Sequence, residues 1–546
     1  MTLASSDIHE EHAAYVMSTL PRESTSLGAT EPIRVVRPAA VIDIGTSSIR
    51  MAIAEIDSAG GVRTLETLSQ AVNLGRDTFT KGSIEKATIE KCVEILKSYR
   101  QRLREYQILR DDQIRVVATS AVREALNRLA FIDRVYIATG IQVEPIDEAE
   151  VNRITYLGVA PFLNAERSLA EAHTVVVEVG GGSTELLVVR NGDVIFSHTY
   201  RLGSLRLRQT LESYGAPAGK LRSIMQNQIE RTVDEVVAQL PDEMPRALIA
   251  LGGDMRYAAS QLLSTWNADR LGKLRLSLLE GFTDKILNMS VDKLVKTHHL
   301  PYPEAETLGP ALLAYLTLAR SAKLDHVYVS NVNLRDGLLQ EMAHRGQWNE
   351  AFVNQIIRSA VELGRRFDFD EAHSMQVAHL CRQLFRALQD DHHLEPKHEV
   401  ILYIAAVLHE IGLFIASASH HKHSLYIINN SEIFGLSRKD VRLVGLVARY
   451  HRRASPKPAH PGYALLDRES RVIVSKLAAI LRVADALERS HSQRISEIRC
   501  KREPGRLVIT VPKVDDLSLE QLALMQKGSL FEETFGMKVL LRKGRS

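Results

Sequence analysis

Residues 175–189 read VVVEVGGGSTELLVV, in which a glycine-rich turn separates two apolar runs. β-Branched residues such as Val175 to Val177 are typical of a buried strand, so the pattern predicts strand, turn and strand. Glycines allow backbone angles and close approaches that a Cβ forbids, and the N–H groups of such a turn can point at an anion. Residues 180–183 therefore form a candidate phosphate-binding turn. The alternative is an ordinary tight hairpin.

A second segment upstream repeats this pattern. Residues 38–57 read PAAVIDIGTSSIRMAIAEID, in which an apolar run ends in Asp43, Gly45 and three hydroxyl residues follow, and a second apolar run begins. The segment predicts another strand, polar turn and strand. Two such turns in one chain indicate two similar lobes whose loops face each other, so a phosphorylated ligand between them could be held from both sides.

Composition and charge leave the broad class open but exclude several kinds of protein. The chain has 546 residues, 45% hydrophobic and 25% charged, with a formal net charge of +3, so nothing global predicts binding to nucleic acid or a membrane. Its three cysteines form no CxxC pair, which is typical of a reducing compartment. No run approaches the roughly 20 apolar residues of a membrane helix. Residues 1–38 lack the apolar core of a secretory signal, so we expect a mobile leader and a cytoplasmic protein.

Five further segments carry a family resemblance. They are VVATSAVREALNRLAFIDRV from residue 116, EVNRITYLGV from 150, YRLGSLRLR from 200, LIALGG from 248 and NLRDGLL from 333. Together with the two turns, and in this order, they resemble the exopolyphosphatase and guanosine pentaphosphate phosphohydrolase family of the actin-like superfamily over roughly residues 39 to 342. The resemblance implies an α/β fold with two actin-like, ribonuclease H-like lobes at 39–160 and 161–345. A helical HD-like domain at 350–492 and a small α+β segment at 493–546 would follow.

The resemblance also implies a phosphate site between the lobes, with Mg²⁺ or Mn²⁺ as the cofactor. The implied phosphate-binding residues are Asp43, Gly45, Thr46, Ser47, Ser48, Gly180, Gly181, Gly182 and Ser183. Arg123 falls where the family keeps a phosphate-binding arginine, and its planar guanidinium suits bidentate contact with phosphate oxygens. Glu178 and Glu185 are the implied catalytic carboxylates, and Asp43 with Glu178 would hold the metal ion.

Three positions depart from the family pattern: Glu178 stands for the usual aspartate, Ser47 stands for the common asparagine, and the third departure is the most serious. The family has two consecutive glutamates before the R…GV end of the segment EVNRITYLGV, and the second of them activates water. Counted back from Gly158, the first falls on Glu150 and the second on Val151. A valine cannot accept a proton, so Glu150 or Glu148 is the candidate base if the turn is shifted. If it is not shifted, we expect weakened catalysis.

The second half of the chain is rich in histidine and in amphipathic helical patterns. One His, a His-Glu doublet, two more His and an Asp follow one another in the order of the HD phosphohydrolase superfamily. Imidazoles and carboxylates from several helices could hold a divalent metal ion and activate a bound water. The implied ligands are His373, His409, Glu410, His423, His451 and Asp485. In longer family members the doublet reads His-Glu, and the domain there supports polyphosphate binding and dimerisation.

These observations predict an enzyme that releases terminal phosphate from polyphosphate or guanosine pentaphosphate, and the sequence does not distinguish the two substrates. One alternative is a regulatory protein that binds the same ligands with weakened catalysis, and another is an HD-type metal phosphohydrolase. An actin-like kinase fits less well because the segment LGGDMRYAA leaves no clear adenosine pocket. We expect a homodimer. A polyphosphate channel would gather basic residues, and the candidates are Arg201, Arg206, Arg208, Arg449, Arg452, Arg453 and Lys457.

Overall fold

The computed structural model describes residues 36–213, 220–239, 247–267, 269–344, 348–512 and 514–544. Within them the strands form three sheets. The strands are β1 (Val36–Ile44), β2 (Ser48–Asp57), β3 (Val62–Ala71), β4 (Ile114–Ala118), β5 (Glu144–Pro145), β6 (Thr174–Val179), β7 (Thr184–Arg190), β8 (Asp193–Tyr200), β9 (Ala247–Ala250), β10 (Gly272–Arg275), β11 (His326–Val329), β12 (Arg499–Glu503), β13 (Arg506–Val511) and β14 (Lys538–Lys543).

The helices of the described residues cover both lobes and build most of the second half of the chain. Those of the lobes are α1 (Leu74–Lys81), α2 (Lys86–Glu105), α3 (Ser120–Glu124), α4 (Arg128–Thr139), α5 (Glu148–Ala165), α6 (Arg167–Glu171), α7 (Ser204–Ser213), α8 (Leu221–Gln239), α9 (Gly253–Leu262), α10 (Leu276–Leu287), α11 (Val291–His298), α12 (Tyr302–Ser321) and α13 (Leu334–Ala343). Those that follow are α14 (Glu350–Arg366), α15 (Glu371–Ala387), α16 (Gln389–His392), α17 (Lys397–Leu408), α18 (His420–Asn429), α19 (Arg438–Arg449), α20 (Arg468–Leu487), α21 (Ser518–Lys527) and α22 (Ser529–Phe535).

The first two sheets share one strand order. The first runs β3-β2-β1-β4-β5, with β1 antiparallel to β2 and parallel to β4. The second runs β8-β7-β6-β9-β11-β10, with β6 antiparallel to β7 and parallel to β9. The central strands are continuous apolar runs because helices cover both faces of such a sheet. The prediction of two similar actin-like lobes is confirmed, and each predicted turn joins the first two strands of its sheet.

The predicted leader, residues 1–38, lies mostly outside the described residues. Residues 36–38 are described, and they belong to β1, where Val36 pairs with Asp57 of β2. Residues 36–38 therefore belong to the first sheet, whereas the prediction placed them in the leader. The sequence analysis missed these residues because Arg37 and Pro38 interrupt the apolar run, whereas backbone pairing at a strand end requires no apolar side chain.

The helical half packs directly on the second lobe. One continuous apolar core contains residues of that lobe, such as Leu187 and Ile249, and residues of the helical half, such as Ile356 and Leu481. The ring of Phe434 also meets Tyr156 of α5 and Phe352 of α14 edge to face. The α+β segment at the end of the described chain adds the sheet β12-β13-β14, with α21 and α22 beside it. Within the described residues, no helix has the length and apolar character needed to cross a membrane.

Candidate active site

The two glycine turns have the same backbone hydrogen bond. In the first lobe the N–H of Gly45 donates to the carbonyl of Ser48 over 3.0 Å, and in the second lobe the N–H of Gly180 donates to the carbonyl of Ser183 over 2.8 Å. Each turn thus closes four residues between the end of one strand and the start of the next. The repeated sequence pattern therefore folds into a repeated local structure.

The first turn of a helix holds each of these loops in place. The N–H of Gly75 at the start of α1 donates to the carbonyl of Thr46 over 2.8 Å. At the start of α7, the N–H of Ser204 donates to the carbonyl of Gly180 over 2.9 Å and that of Leu205 to Gly181 over 3.1 Å. Because their carbonyl groups are bonded to helix N-termini, both loops are fixed before any ligand arrives.

The two loops touch each other across the lobes. A Cβ placed on Gly181 would lie 2.2 Å from Oγ1 of Thr46, and one placed on Gly182 would lie 2.3 Å from Oγ of Ser120. None of the glycines at 180–182 has a positive φ angle. Glycine is required here because the other lobe fills the space of a side chain, and the backbone angle does not require it. The expectation that the loops face each other is met by direct contact.

A cleft of about 430 Å³ opens beside the two turns, and carboxylates from both lobes line it. Asp43 comes from the end of β1, and its Oδ1 is buried without a hydrogen-bond partner. Burial raises the pKa of Asp43 and of Glu178, the residue before the last one of β6. Burial raises the pKa of Glu185 to about 7, although its Oε1 accepts a 2.5 Å hydrogen bond from Ser183. Glu185 can thus exchange a proton near neutral pH.

Charged residues that the sequence analysis did not assign also line the cleft. They are Arg50 of β2, Asp254 and Arg256 of α9, Glu304 of α12 and Arg335 of α13. Nη1 of Arg335 lies 3.5 Å from Oδ2 of Asp43, and burial raises the pKa of Asp254 to about 7. Arg335 belongs to the quoted segment NLRDGLL, so the family resemblance contained a signal for it. No spacing pattern marks Arg50 or Arg256, because the fold alone brings them to the cleft.

Arg123 reaches the cleft as predicted. Its Nη1 donates to the carbonyl of Ile146 over 2.9 Å, its Nη2 lies 3.3 Å from Glu148, and its Nε is buried without a partner. The guanidinium is therefore held on one side and keeps a donor free. An anion in the cleft would satisfy that donor, since a buried unpaired N–H is costly.

Val151 and Glu150 stand on different sides of α5. Val151 lines the cleft, where its side chain is 7% exposed. Glu150 does not line the cleft, and its carboxylate lies 2.9 Å from Arg115 and 3.5 Å from Arg153. Adjacent helical residues point about 100° apart, so one that faces the cleft turns its neighbour away. The placement gives Glu150 an ion pair in the protein interior and does not support it as the base.

The donors in the cleft suit a hard divalent cation. Mg²⁺ prefers carboxylate, hydroxyl and water oxygens, and Asp43, Glu178 and the hydroxyls of the first turn supply such atoms. The unpartnered Oδ1 of Asp43 is an oxygen that a cation would satisfy. These residues therefore fit the expected Mg²⁺.

A separate cluster of ligand-type side chains lies in the helical half. Three groups have ligand atoms within 4.8 Å of one another, and they are His373–His409–Asp485, Glu410–His420–His451 and His373–Glu410–His491. Five of the six predicted residues are thus brought together. His409 and Glu410 can both contribute because α17 ends at Leu408, just before the doublet.

His423 is outside this cluster, and His420 takes the place that the sequence order assigned to it. The buried face of α18 consists of His420, Ser424, Ile427 and Ile428, a repeat of three to four residues that skips position 423. The hydroxyl of Ser424 fixes this face because it donates to the carbonyl of His409 over 2.8 Å. The assignment of His423 was wrong because order in sequence does not reveal which face of a helix is buried.

The predicted channel arginines of the second lobe are engaged with carboxylates. Arg206 lies 2.6 Å from Glu124 of α3, and Arg201 lies 2.7 Å from the same carboxylate. The guanidinium of Arg206 also stacks 4.0 Å from the ring centre of Phe79. These contacts hold the two lobes together, so these arginines are not a free anion surface. Arg208 pairs with Glu212 and Glu306.

The predicted channel residues of the helical half, unlike those of the second lobe, have no carboxylate partner among the described residues. Within the described part of the chain, none of the four forms an ion pair, and they are Arg449, Arg452, Arg453 and Lys457. All of them except Arg449 are exposed. They therefore remain candidates for contact with a polyanion.

Two lobes of one sheet topology that meet at matching glycine turns define a protein of the actin-like, two-lobed fold. The Ppx/GppA phosphatase family matches residues 41–346, and domain III of the Ppx/GppA phosphatases matches residues 357–528. The first match covers more than half of the chain, which therefore belongs to the Ppx/GppA phosphatase family.

Individual relatives agree with this assignment. Over 487 residues the chain is 23% identical to a guanosine-5'-triphosphate,3'-diphosphate pyrophosphatase of Photobacterium profundum, and the match covers 87% of this chain and 91% of that protein. A solved exopolyphosphatase of Cytophaga hutchinsonii is 20% identical, with a TM-score of 0.51, over 57% of this chain and 98% of that one. A solved exopolyphosphatase-like protein is 22% identical, with a TM-score of 0.50, over 57% of this chain and 98% of that one. The two structures support the two-lobed fold.

Proposed function

We propose that this protein is a cytoplasmic, Mg²⁺-assisted phosphohydrolase that releases terminal phosphate from inorganic polyphosphate or guanosine pentaphosphate. The observation that carries the proposal is the direct contact of two glycine turns, closed by the same backbone hydrogen bond, beside a cleft lined with carboxylates and arginines. Membership of the phosphatase family supports the reaction class, and the names of the relatives support these two substrates.

In this mechanism, residues of both lobes would bind the substrate and the metal ion. The turns at 45–48 and 180–183 would bind phosphoryl oxygens, and Arg123 would donate to the terminal phosphate with its free Nε–H. Mg²⁺ held by Asp43 and Glu178 would neutralise charge on those oxygens. Glu185 would accept a proton as water attacks the terminal phosphorus. The bond from that phosphorus to the bridging oxygen breaks, and the shortened substrate departs with that oxygen.

Val151 would lower the rate of this reaction, because it has no carboxylate to activate water. It presents an apolar side chain to the cleft at the position where the family places a water-activating glutamate, so Glu185 is left as the carboxylate with a pKa near neutral pH on that loop. A general base typically contributes about 10² to 10⁴ in rate. We therefore infer that the natural chain binds its substrate well and turns it over slowly.

The test is phosphate release by the full-length protein with Mg²⁺, on polyphosphate and on guanosine pentaphosphate, together with binding affinity. Val151→Glu should raise the rate by about 10² to 10⁴ with little change in affinity, because the turns are untouched. Glu150→Gln is the matched neighbouring change and should leave turnover unaltered. Fast natural turnover that Glu150→Gln abolishes would make Glu150 the base. Failure of both the natural protein and Val151→Glu to bind or hydrolyse either substrate would refute the proposal.

A further inference from the structure

Three imidazoles of the helical half have a hydrogen-bond arrangement that fixes their tautomers. Nδ1 of His409 lies 2.6 Å from the carbonyl oxygen of Ala406. His420 and His451 make the same contact three residues back, over 3.1 Å to Ser417 and 2.7 Å to Ala448. A carbonyl oxygen only accepts, so each Nδ1 carries the hydrogen. Each Nε2 of the neutral ring is then a lone-pair acceptor.

Two of these lone pairs face each other. Nε2 of His420 lies 3.2 Å from Nε2 of His451, and in neutral rings with this tautomer neither atom has a hydrogen to donate. The carboxylate of Glu410 offers an oxygen within 4.8 Å of both. Two buried acceptors and a carboxylate directed at one point are satisfied by a cation at that point. Backbone carbonyls that bond the far ring nitrogen are the usual support for metal-ligating histidines.

The neighbouring group already has a cation. Asp485, which lies with His373 and His409, forms a close ion pair with the ammonium of Lys527 at the end of α21. Burial disfavours the charged form of Asp485, but Lys527 holds its pKa well below its usual range. The positive charge that a metal ion would supply is therefore present as a lysine. This distinguishes the Asp485 group from the Glu410 group, which has no lysine or arginine in ion-pair contact among the described residues.

We propose that Glu410, His420 and His451 bind one transition-metal ion of the Zn²⁺ class, at a site separate from the Mg²⁺ cleft. Two imidazole nitrogens and one carboxylate oxygen suit Zn²⁺ or Co²⁺ and are poor ligands for Mg²⁺. Three protein ligands leave a coordination position for water or an anion. Lys527 excludes a second ion from the adjoining His373–His409–Asp485 group.

The test uses untagged full-length protein stripped with a chelator and returned to metal-free buffer. Titration with Co²⁺, followed by visible absorption, and with Zn²⁺, followed by calorimetry, should each reach one ion per chain. His420→Ala and Glu410→Gln should lose this ion. Glu410 is partly exposed, so its variant is expected to fold, and a melting curve in chelator checks both proteins. His423→Ala is the matched control on the same helix and should keep the ion.

Lys527→Gln tests the second half of the proposal. With the ammonium removed, the His373–His409–Asp485 group should accept a cation, so the stoichiometry should rise to two ions per chain. A stoichiometry that stays at one would overturn the role given to Lys527. Absence of Co²⁺ binding, its retention in folded His420→Ala and Glu410→Gln, or its loss in His423→Ala would overturn the metal site. Phosphate release with Mg²⁺, measured in parallel, reports on the cleft and is independent of these outcomes.

Discussion

Gly181 has no room for a side chain because Thr46 of the other lobe occupies that space. Gly181→Ala should force Thr46 and its loop apart and weaken binding of polyphosphate, with an expected loss of roughly 1–3 kcal/mol, the usual cost of overpacking. Calorimetric affinity and a melting curve measure the effect. Gly281→Ala is the control, since a Cβ there meets nothing within 4 Å. Equal affinity of a folded Gly181→Ala protein would contradict the contact between the turns.

Glu185 gives the cleft a predicted pH dependence. A base must be ionised, and burial raises the pKa of Glu185 to about 7, so kcat/KM should fall as the pH drops below about 7. The folded state also holds this proton more tightly than the unfolded chain. The resulting stability is full below the ordinary pKa of 4.5 and is lost as the pH rises to about 7. Glu185→Gln should therefore remove the activity and raise the melting temperature at pH 8. A pH profile unchanged by Glu185→Gln would exclude this residue as the base.

At the scale of single residues, the sequence predicted which residue types the site contains better than it predicted which way each side chain points. Arg123, Glu178 and Glu185, which the sequence analysis named, all line the cleft. The two glutamates lie in the strands that flank the second turn, and that turn fixes their position. The sequence could not decide between Glu150 and Val151, or between His420 and His423. Each choice depends on which face of a helix is buried, and that depends on partners distant in sequence.

At the scale of elements, the start of α5 connects the helical half to the cleft. Glu148 lies 3.3 Å from Arg123 and 3.1 Å from Arg438 of α19. The backbone N–H of Arg438 donates to Asp147, the residue before α5, over 2.5 Å. One carboxylate is thus shared between an arginine of the cleft and an arginine of the helical half.

This sharing predicts opposite effects of two changes. Arg438→Ala leaves Glu148 to pair with Arg123 alone, so KM for polyphosphate should rise about two- to five-fold, the range of an exposed ion pair. Glu148→Gln removes a negative charge beside Arg123, so KM should fall by a similar factor. Steady-state kinetics of both variants measures this. A rise of KM in both would indicate general loosening of the structure and contradict the shared carboxylate.

The elements themselves were largely predictable. Nearly continuous apolar runs marked the strands on each side of both turns, because a strand in a sheet that is covered on both faces needs apolar residues along its whole length. Arg50, Arg256 and Arg335 converge on the cleft from a strand and two helices that are far apart in sequence. No local pattern encodes that convergence, since it arises only when both lobes are folded.

At the scale of the whole molecule, the helical half completes the core of the second lobe. Val159, Leu163 and Val332 of the lobes share one apolar core with Phe352 and Ile356 of α14. A chain that ends at residue 347 should therefore expose this apolar face, precipitate at modest concentration and bind a hydrophobic dye such as ANS. Soluble yield and dye fluorescence measure this. A truncated protein that is soluble, melts cooperatively and hydrolyses short polyphosphate at the full-length rate would show that the lobes are independent.

The repeated turn has a consequence for the polarity of the substrate. With the proposed substrate bound, two loops of similar backbone structure would contact a phosphate chain from either side, so the loops alone would not distinguish its end from its middle. Direction must come from the unlike neighbours of the two loops. Arg123 and Val151 flank the first lobe's side of the cleft, whereas Asp254 and Arg256 flank the other. These four residues have no counterpart in the other lobe. They would therefore allow a nearly symmetric pair of turns to select one end of the ligand.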